Sequence, residues 1–161
     1  MDELIKFASQ ENIQVVYLPL NMVYKELFGI HIPGERKIVL DTRLLMPKYY
    51  RLWRCVMGEE LGHHFTGISH NIFKVHYNYS LKRKMNYDDE LALRWATDKL
   101  IPTDEITSLL DGGFSDCEGL AEYFGVTIWF IFRKLEFLQL KNSNNVKNIR
   151  EYIKSAKISC F

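Results

Sequence analysis

Glu59 and His63 stand where a buried helix face would ask for aliphatic side chains, with Glu60 between them. In the stretch Cys55-Val56-Met57-Gly58-Glu59-Glu60-Leu61-Gly62-His63-His64-Phe65-Thr66, apolar Leu52, Cys55 and Val56 recur at helical spacing, and the next places on that stripe are Glu59 and His63. Burying a carboxylate or an imidazole without a partner is costly, and a divalent metal is an economical partner for both. Residues four apart stand one turn apart on the same face, so Glu59 and His63 could grip one ion. Glu60 sits between them, angled to one side, where a general base acting on water would sit. The competing account is an ordinary solvated helix face with side-chain pairing at i,i+4.

The arrangement reads as His-Glu-x-x-His with the first histidine changed to glutamate. A second acidic residue answers it from further along. Residues 87–100 form a helical pattern closed by Ile101-Pro102, on which Asp89, Ala92, Leu93, Ala96 and Leu100 share a face. Small alanines there let two helix backbones approach closely, as a site shared between helices requires. Asp89 is the acid on the buried side and can complete a metal site begun by Glu59 and His63, while Glu90 points about a quarter-turn away. Taken alone, Asp89 is also explained as negative charge complementing the N-terminal end of its helix dipole. His64 and His70 are nearby extras that read first as surface histidines, and His31 and His76 offer no spacing argument.

The elements that must position these residues follow from the rest of the pattern. Residues 2–11 make a short amphipathic helix with Leu4, Ile5 and Ala8 on one face, and residues 12–18 read as a strand stopped by Pro19. A loop containing Gly29 and a Pro33-Gly34 turn lead to a second strand over 37–40. Pro47 opens the motif helix, which runs to about Phe65 and is ended by Gly67. The stretch 72–79 is expected to be extended, and Lys82-Arg83-Lys84 to be a solvated loop. Helix, strands and then helices imply an α+β fold with a small antiparallel sheet packed on the motif helix.

Thr103-Asp104-Glu105 caps a short helix broken by Gly112-Gly113, and Ser115-Asp116-Cys117-Glu118 reads as a capping box. Residues 115–140 then give a helix, a tight turn at Gly125 and a second helix, which is helix-turn-helix geometry. The second helix presents Ile128, Trp129, Phe130, Ile131 and Phe132, with little to contact base edges, so a structural pair is favoured over a DNA reader. The expected organisation is a single body over 1–140 and, over 141–161, a polar linker with a basic tail.

The chain of 161 residues has a net charge of +1, which gives no general argument for nucleic acid or an acidic membrane. The opening Met1-Asp2-Glu3-Leu4-Ile5-Lys6 lacks the pattern of a secretory leader, and the strongest apolar run, 126–132, is too short to span a bilayer. Cys55, Cys117 and Cys160 form no CxxC pair, which fits a reducing cytoplasm.

Glu59-Glu60-Leu61-Gly62-His63-His64, followed by Asp89-x-x-Ala92-x-x-Trp95-Ala96-x-x-x-Leu100-Ile101-Pro102 and Leu120-Ala121-x-x-Phe124-x-Val126-Thr127, resembles the ImmA/IrrE family of metallopeptidases over most of residues 1–140. The resemblance implies an α+β fold with zincin-like helices. It also implies a zinc-dependent endopeptidase that relieves repression by cleaving a phage-type or mobile-element repressor, its substrate or partner. By position, Glu60 matches the general base, His63 the second motif ligand and Asp89 the downstream glutamate ligand, with Glu90 as the reserve. Glu59 falls where many members have histidine. Both departures make the site more oxygen-rich, which admits manganese beside zinc. Two other readings stay open: an inactive relative that binds a repressor stoichiometrically, and a DNA-binding regulator using residues 115–140 and the basic tail.

Overall fold

The computed structural model describes residues 2–23, 25–67, 79–114 and 116–141. Among them the architecture is α+β, six helices and one three-stranded sheet. Helix α1 (Glu3–Gln10) is started by Asp2, whose carboxylate accepts the N–H of Leu4 at 2.9 Å, and it buries Leu4 and Ala8. Asn12 ends it in the left-handed region (φ 56°), a conformation asparagine tolerates, and turns the chain into β1 (Gln14–Leu18).

The sheet is mixed rather than antiparallel. Strand β3 (Lys37–Asp41) lies in the middle, parallel to β1 and antiparallel to β2 (Gly29–Ile32). Ile38, Val39 and Leu40 are buried in succession, so β3 is covered on both faces, the position that a continuous apolar run suits. The strand β2 takes the place of the expected loop. It forms a hairpin with β3 through the turn at 33–36, and its arrival beside β3 leaves the other side of β3 to β1.

Asp41 anchors the far end of this sheet. Its buried carboxylate accepts from the N–H of Asn21 (2.8 Å), the N–H of Arg43 (2.8 Å) and the Arg43 Nε (2.6 Å). Arg43 in turn donates to the carbonyls of Lys25 and Leu27, at 2.9 Å each, and lies over the Phe28 ring. One buried ion pair thereby fixes the approach of the chain into β2. Burial works against the ionised Asp41 carboxylate, but the three donors outweigh it and hold its pKa below the ordinary value.

A 3-10 turn at Pro47–Tyr49 leads into α2 (Tyr50–Phe65), the motif helix. Its buried residues are Trp53, Cys55, Met57, Gly58, Leu61 and Gly62, so Cys55 of the stripe read from the sequence lies in the core while the rest of the core face lies one position round. Leu52, Val56, Glu59, Glu60, His63 and His64 occupy half-buried flanks. Arg54 ties α2 to the start of α1 through Asp2 (3.2 Å) and Glu3 (3.0 Å).

Helix α3 (Tyr79–Leu100) begins before the expected position 87, so the backbone of Lys82-Arg83-Lys84 is helical and not a loop. The expected extended stretch, apart from Tyr79, lies outside the described residues. Along 87–96, Ala92, Leu93 and Ala96 are buried, and the Ala92 backbone meets α2 at Gly62. A Cβ on Gly62 would stand 2.3 Å from the Ala92 carbonyl oxygen, so only glycine permits this approach. Phe65 stacks on Trp95 (5.0 Å) and lies 5.4 Å from Phe7, joining α2, α3 and α1 in one aromatic cluster.

The chain divides into two compact units at Ala96/Thr97. The second comprises the end of α3 with α4 (Thr103–Asp111), α5 (Cys117–Phe124) and α6 (Ile128–Lys141). Asp116 caps α5, accepting the N–H groups of Glu118 (3.2 Å) and Gly119 (2.9 Å), while Ser115 of the expected capping box lies outside the described residues. Gly125 (φ 63°) closes α5 in the left-handed conformation, and α6 buries Phe130, Ile131, Leu135, Phe137 and Leu138. Lys134 is fully buried on the same helix. Its ammonium donates to Asp98 (2.5 Å) and Thr103 (2.9 Å). Beyond Lys141 the linker and basic tail lie outside the described residues.

Candidate functional site

Two rows of side chains run along the flanks of α2, each at i,i+4 spacing, and they face different elements. One is Val56, Glu60 and His64, lying along β2. The other is Glu59 and His63, of which His63 faces α3. The 3.6-residue period separates neighbours in sequence by about 100° around the axis, so Glu59 and Glu60 point to different sides of α2.

The β2 wall is formed by Gly29 and His31. A Cβ at Gly29 would lie 2.6 Å from Val56 Cγ1, 2.7 Å from Glu60 Oε1 and 2.9 Å from Glu60 Cγ, so the absent side chain is the space that Glu60 occupies. Since Asp41 N–H donates to the Phe28 carbonyl, ladder alternation turns Ile30 toward β3 and leaves the backbone groups of Gly29 and His31 at the free edge. There the His31 N–H donates to the Glu60 carboxylate. Burial pushes the Glu60 carboxyl up to about 8, the charge of Glu59 and then of Asp89 adds to this, and the His31 N–H partly opposes it.

Further along the same wall, His64 Nδ1 and His31 Nε2 approach to 3.3 Å with their rings edge-on. One nitrogen donates and the other accepts, so at least one ring is neutral. Burial first, then the charges of His64 and His63, lowers His31 to about 4. Burial and the nearby Arg36 lower His64, with Glu11 opposing. His64 is therefore half of a histidine pair rather than an ordinary surface residue.

On the α3 wall, His63 Nε2 lies 3.7 Å from Asp89 Oδ1. Two ligands bound tetrahedrally at about 2.1 Å are roughly 3.4 Å apart, so this separation suits two donors sharing one ion. Glu59 shares their side of α2 and raises the Glu60 carboxyl electrostatically, but it does not close the group. Among the described residues no three His, Cys, Asp or Glu side chains are gathered as an ion would gather them. The donor chemistry, one imidazole with carboxylates, fits a divalent cation in type, and the geometry fits it for two of the three expected ligands.

The buried acid of α3 is Asp88, at 6 % exposure, whereas the Asp89 side chain is 52 % exposed. Asp89 approaches His63 from the rim of the helix, not from its buried face as the sequence suggested. Glu90, the reserve ligand, is held by Arg94 at 2.8 Å along the surface of α3. His70 and His76 lie outside the described residues. Gly29 and His31 were absent from the sequence reading of the site. The signal for them was the alternation Gly29-Ile30-His31-Ile32 directly before the Pro33-Gly34 turn, which marks a short hairpin strand.

The chain matches no family model, no curated protein and no solved structure.

Proposed function

We propose that the protein is a metal-dependent endopeptidase with zincin-like helices, acting on a repressor-like protein, as the ImmA/IrrE resemblance suggests. The observation that carries the reading is the Glu60 carboxyl, set against Gly29 of β2, on the same helix as His63, whose Nε2 lies 3.7 Å from Asp89 of α3. A general base works best when its pKa lies near the working pH. Glu59, His63 and Asp89 would hold a zinc or manganese ion. When bound, that ion supplies a Lewis acid for the scissile carbonyl and a positive charge that lowers the Glu60 pKa.

Glu60 accepts a proton from water as the water oxygen attacks the peptide carbonyl carbon. It returns that proton to the leaving nitrogen as the C–N bond breaks. The close fit of Glu60 against Gly29 holds its side chain half-buried along β2. His31 and His64, paired with each other at 3.3 Å, lie along the same wall.

The DNA-reader alternative draws on residues 115–140 and the basic tail, and the tail lies outside the described residues. Lys134 is buried on Asp98 and Thr103, and Arg133 pairs with Glu136 (2.5 Å) and lies over Phe137. These commitments support a structural role for the α5–α6 pair. Among the described residues no helix is long and apolar enough to cross a membrane.

The test is cleavage of candidate repressors by metal-loaded protein, with Glu60→Gln in parallel. Loss of cleavage with retained repressor binding supports the peptidase. A variant that derepresses in cells as well as wild type replaces it with stoichiometric binding.

A further inference from the structure

Glu60 reaches β2 at the one residue of that strand lacking a side chain. Its Oε1 and Cγ lie 2.7 and 2.9 Å from where a Gly29 Cβ would stand, and two residues on the His31 N–H donates to the carboxylate. Both backbone positions belong to the edge turned away from β3, so neither is needed for the ladder. One turn along α2, His64 Nδ1 meets His31 Nε2 at 3.3 Å and fastens the strand to the helix at the residue that supplies the donor. The strand thus offers Glu60 a vacancy, a fixed donor and a clasp that keeps both in register with the helix.

We infer that β2 is a positioning strand for Glu60: Gly29 admits the carboxylate and the His31 amide holds it in one orientation toward the His63–Asp89 pair. The inference rests on the endopeptidase reading and adds residues that touch neither ion nor substrate. A glutamate arm turns about three side-chain bonds, and a base displaced by about 1 Å costs on the order of 100-fold in rate. An alanine at 29 displaces it by such an amount, because the new methyl and the carboxylate claim the same space. The same methyl also meets Val56 Cγ1 at 2.6 Å, which provides a way to separate packing from positioning.

The experiment uses the zinc-loaded full chain, a quenched fluorescent peptide library as substrate, and Gly29→Ala with and without Val56→Ala. Zinc affinity is read by chelator competition, stability by urea midpoint, and the His31 amide proton by NMR. Gly29→Ala is expected to lose about 100-fold in cleavage rate, with zinc affinity unchanged. Adding Val56→Ala is expected to restore the urea midpoint without restoring the rate. The His31 amide proton is expected to move upfield in both Glu60→Ala and Gly29→Ala, as a hydrogen bond is lost. Recovery of the rate in the double variant overturns the inference, because Gly29 then serves packing alone. So does a His31 amide shift indifferent to Glu60→Ala. Absence of cleavage by wild-type protein, with the His31 amide still responding, removes the endopeptidase reading itself and the inference with it.

Discussion

Replacing Gly62 by alanine sets two effects of opposite sign against each other. In an exposed helix interior the exchange stabilises by about 1 kcal/mol, because alanine loses less backbone freedom than glycine. At Gly62 the new Cβ would lie 2.3 Å from the Ala92 carbonyl oxygen, 2.8 Å from its carbon and 3.0 Å from its Cα. All three are backbone atoms of a helix and cannot rotate aside. Raising 2.3 Å to the 3.4 Å of ordinary contact requires α2 and α3 to part locally by about 1 Å. Overpacking of this kind costs about 1–3 kcal/mol, and a backbone obstacle places it toward the upper end, so the net loss is about 1–2 kcal/mol. Urea denaturation of the metal-free protein should show a lower midpoint with an unchanged slope. The same movement widens the 3.7 Å gap between His63 Nε2 and Asp89 Oδ1. Beyond about 4.2 Å, twice a typical zinc–ligand distance, no single ion spans two donors, so zinc affinity should fall by about tenfold or more. A Gly62→Ala protein as stable as wild type, or more so, would refute the close approach. A destabilised variant with undiminished zinc affinity would refute the pairing of His63 with Asp89 as ligands.

Glu60→Gln should leave metal content and urea midpoint nearly unchanged while cleavage falls by about 100-fold or more, whereas His63→Ala should remove metal and cleavage together. Measured metal content of both variants beside wild type separates the two roles. Asp41 contributes acid-sensitive stability: its pKa is lowered on folding, so the unfolded chain binds its proton first. That contribution is complete above the ordinary carboxylate value of 3.8 and is lost as pH falls through the lower folded value. The urea-midpoint gap between wild type and Asp41→Asn should therefore be constant from pH 7 to about 5 and begin to shrink below the ordinary carboxylate value, and a gap undiminished at pH 3 would contradict this account. Asp98→Ala leaves the buried Lys134 ammonium without its carboxylate. Because Asp98 is half exposed, a loss in the lower part of the roughly 3–5 kcal/mol range for broken buried pairs is expected by urea titration.

The motif helix was readable because its signals are local: Gly67 at the end and a run of apolar residues at helical spacing before it, although Pro47 opens a 3-10 turn and the helix itself starts at Tyr50. The same locality places Glu59 and His63 one turn apart on one flank of α2, but Glu59 is not gathered with His63 and Asp89 among the described residues. Their environment was less readable, since Leu52, Val56 and Glu59 lie within one turn of Trp53 and Met57, and only tertiary packing decides which set faces inward. Strand β2 was missed because it is four residues long and begins with glycine, a strand-weakening residue whose value lies in what it lets approach. Without β2 the sequence pattern implies an antiparallel sheet and gives His31 no reason to meet His64. Asp89 was matched to His63 by pattern, yet its exposure and the burial of Asp88 depend on how α3 is rolled against α2, which Gly62 and Ala92 determine. The early start of α3 at Tyr79 went unseen because Lys82-Arg83-Lys84 carries no apolar periodicity.

The central strand of the sheet is the last of the three to be synthesised. When β1 leaves the ribosome it has no neighbour to pair with, and its partner in the parallel ladder, β3, comes only after β2. The hairpin of β2 and β3 closes through a turn of four residues, at 33–36, and needs little loop entropy. The β1–β3 pairing must instead bring residues 14–18 back to 37–41, the more distant contact. The hairpin is therefore expected to form first, with β1 added to a finished edge. Because the wall beside Glu60 belongs to the hairpin, it can take shape with α2 before the sheet is whole. A lesion in β1 should thus slow folding while leaving that wall intact, whereas a lesion in the 33–36 turn should delay both.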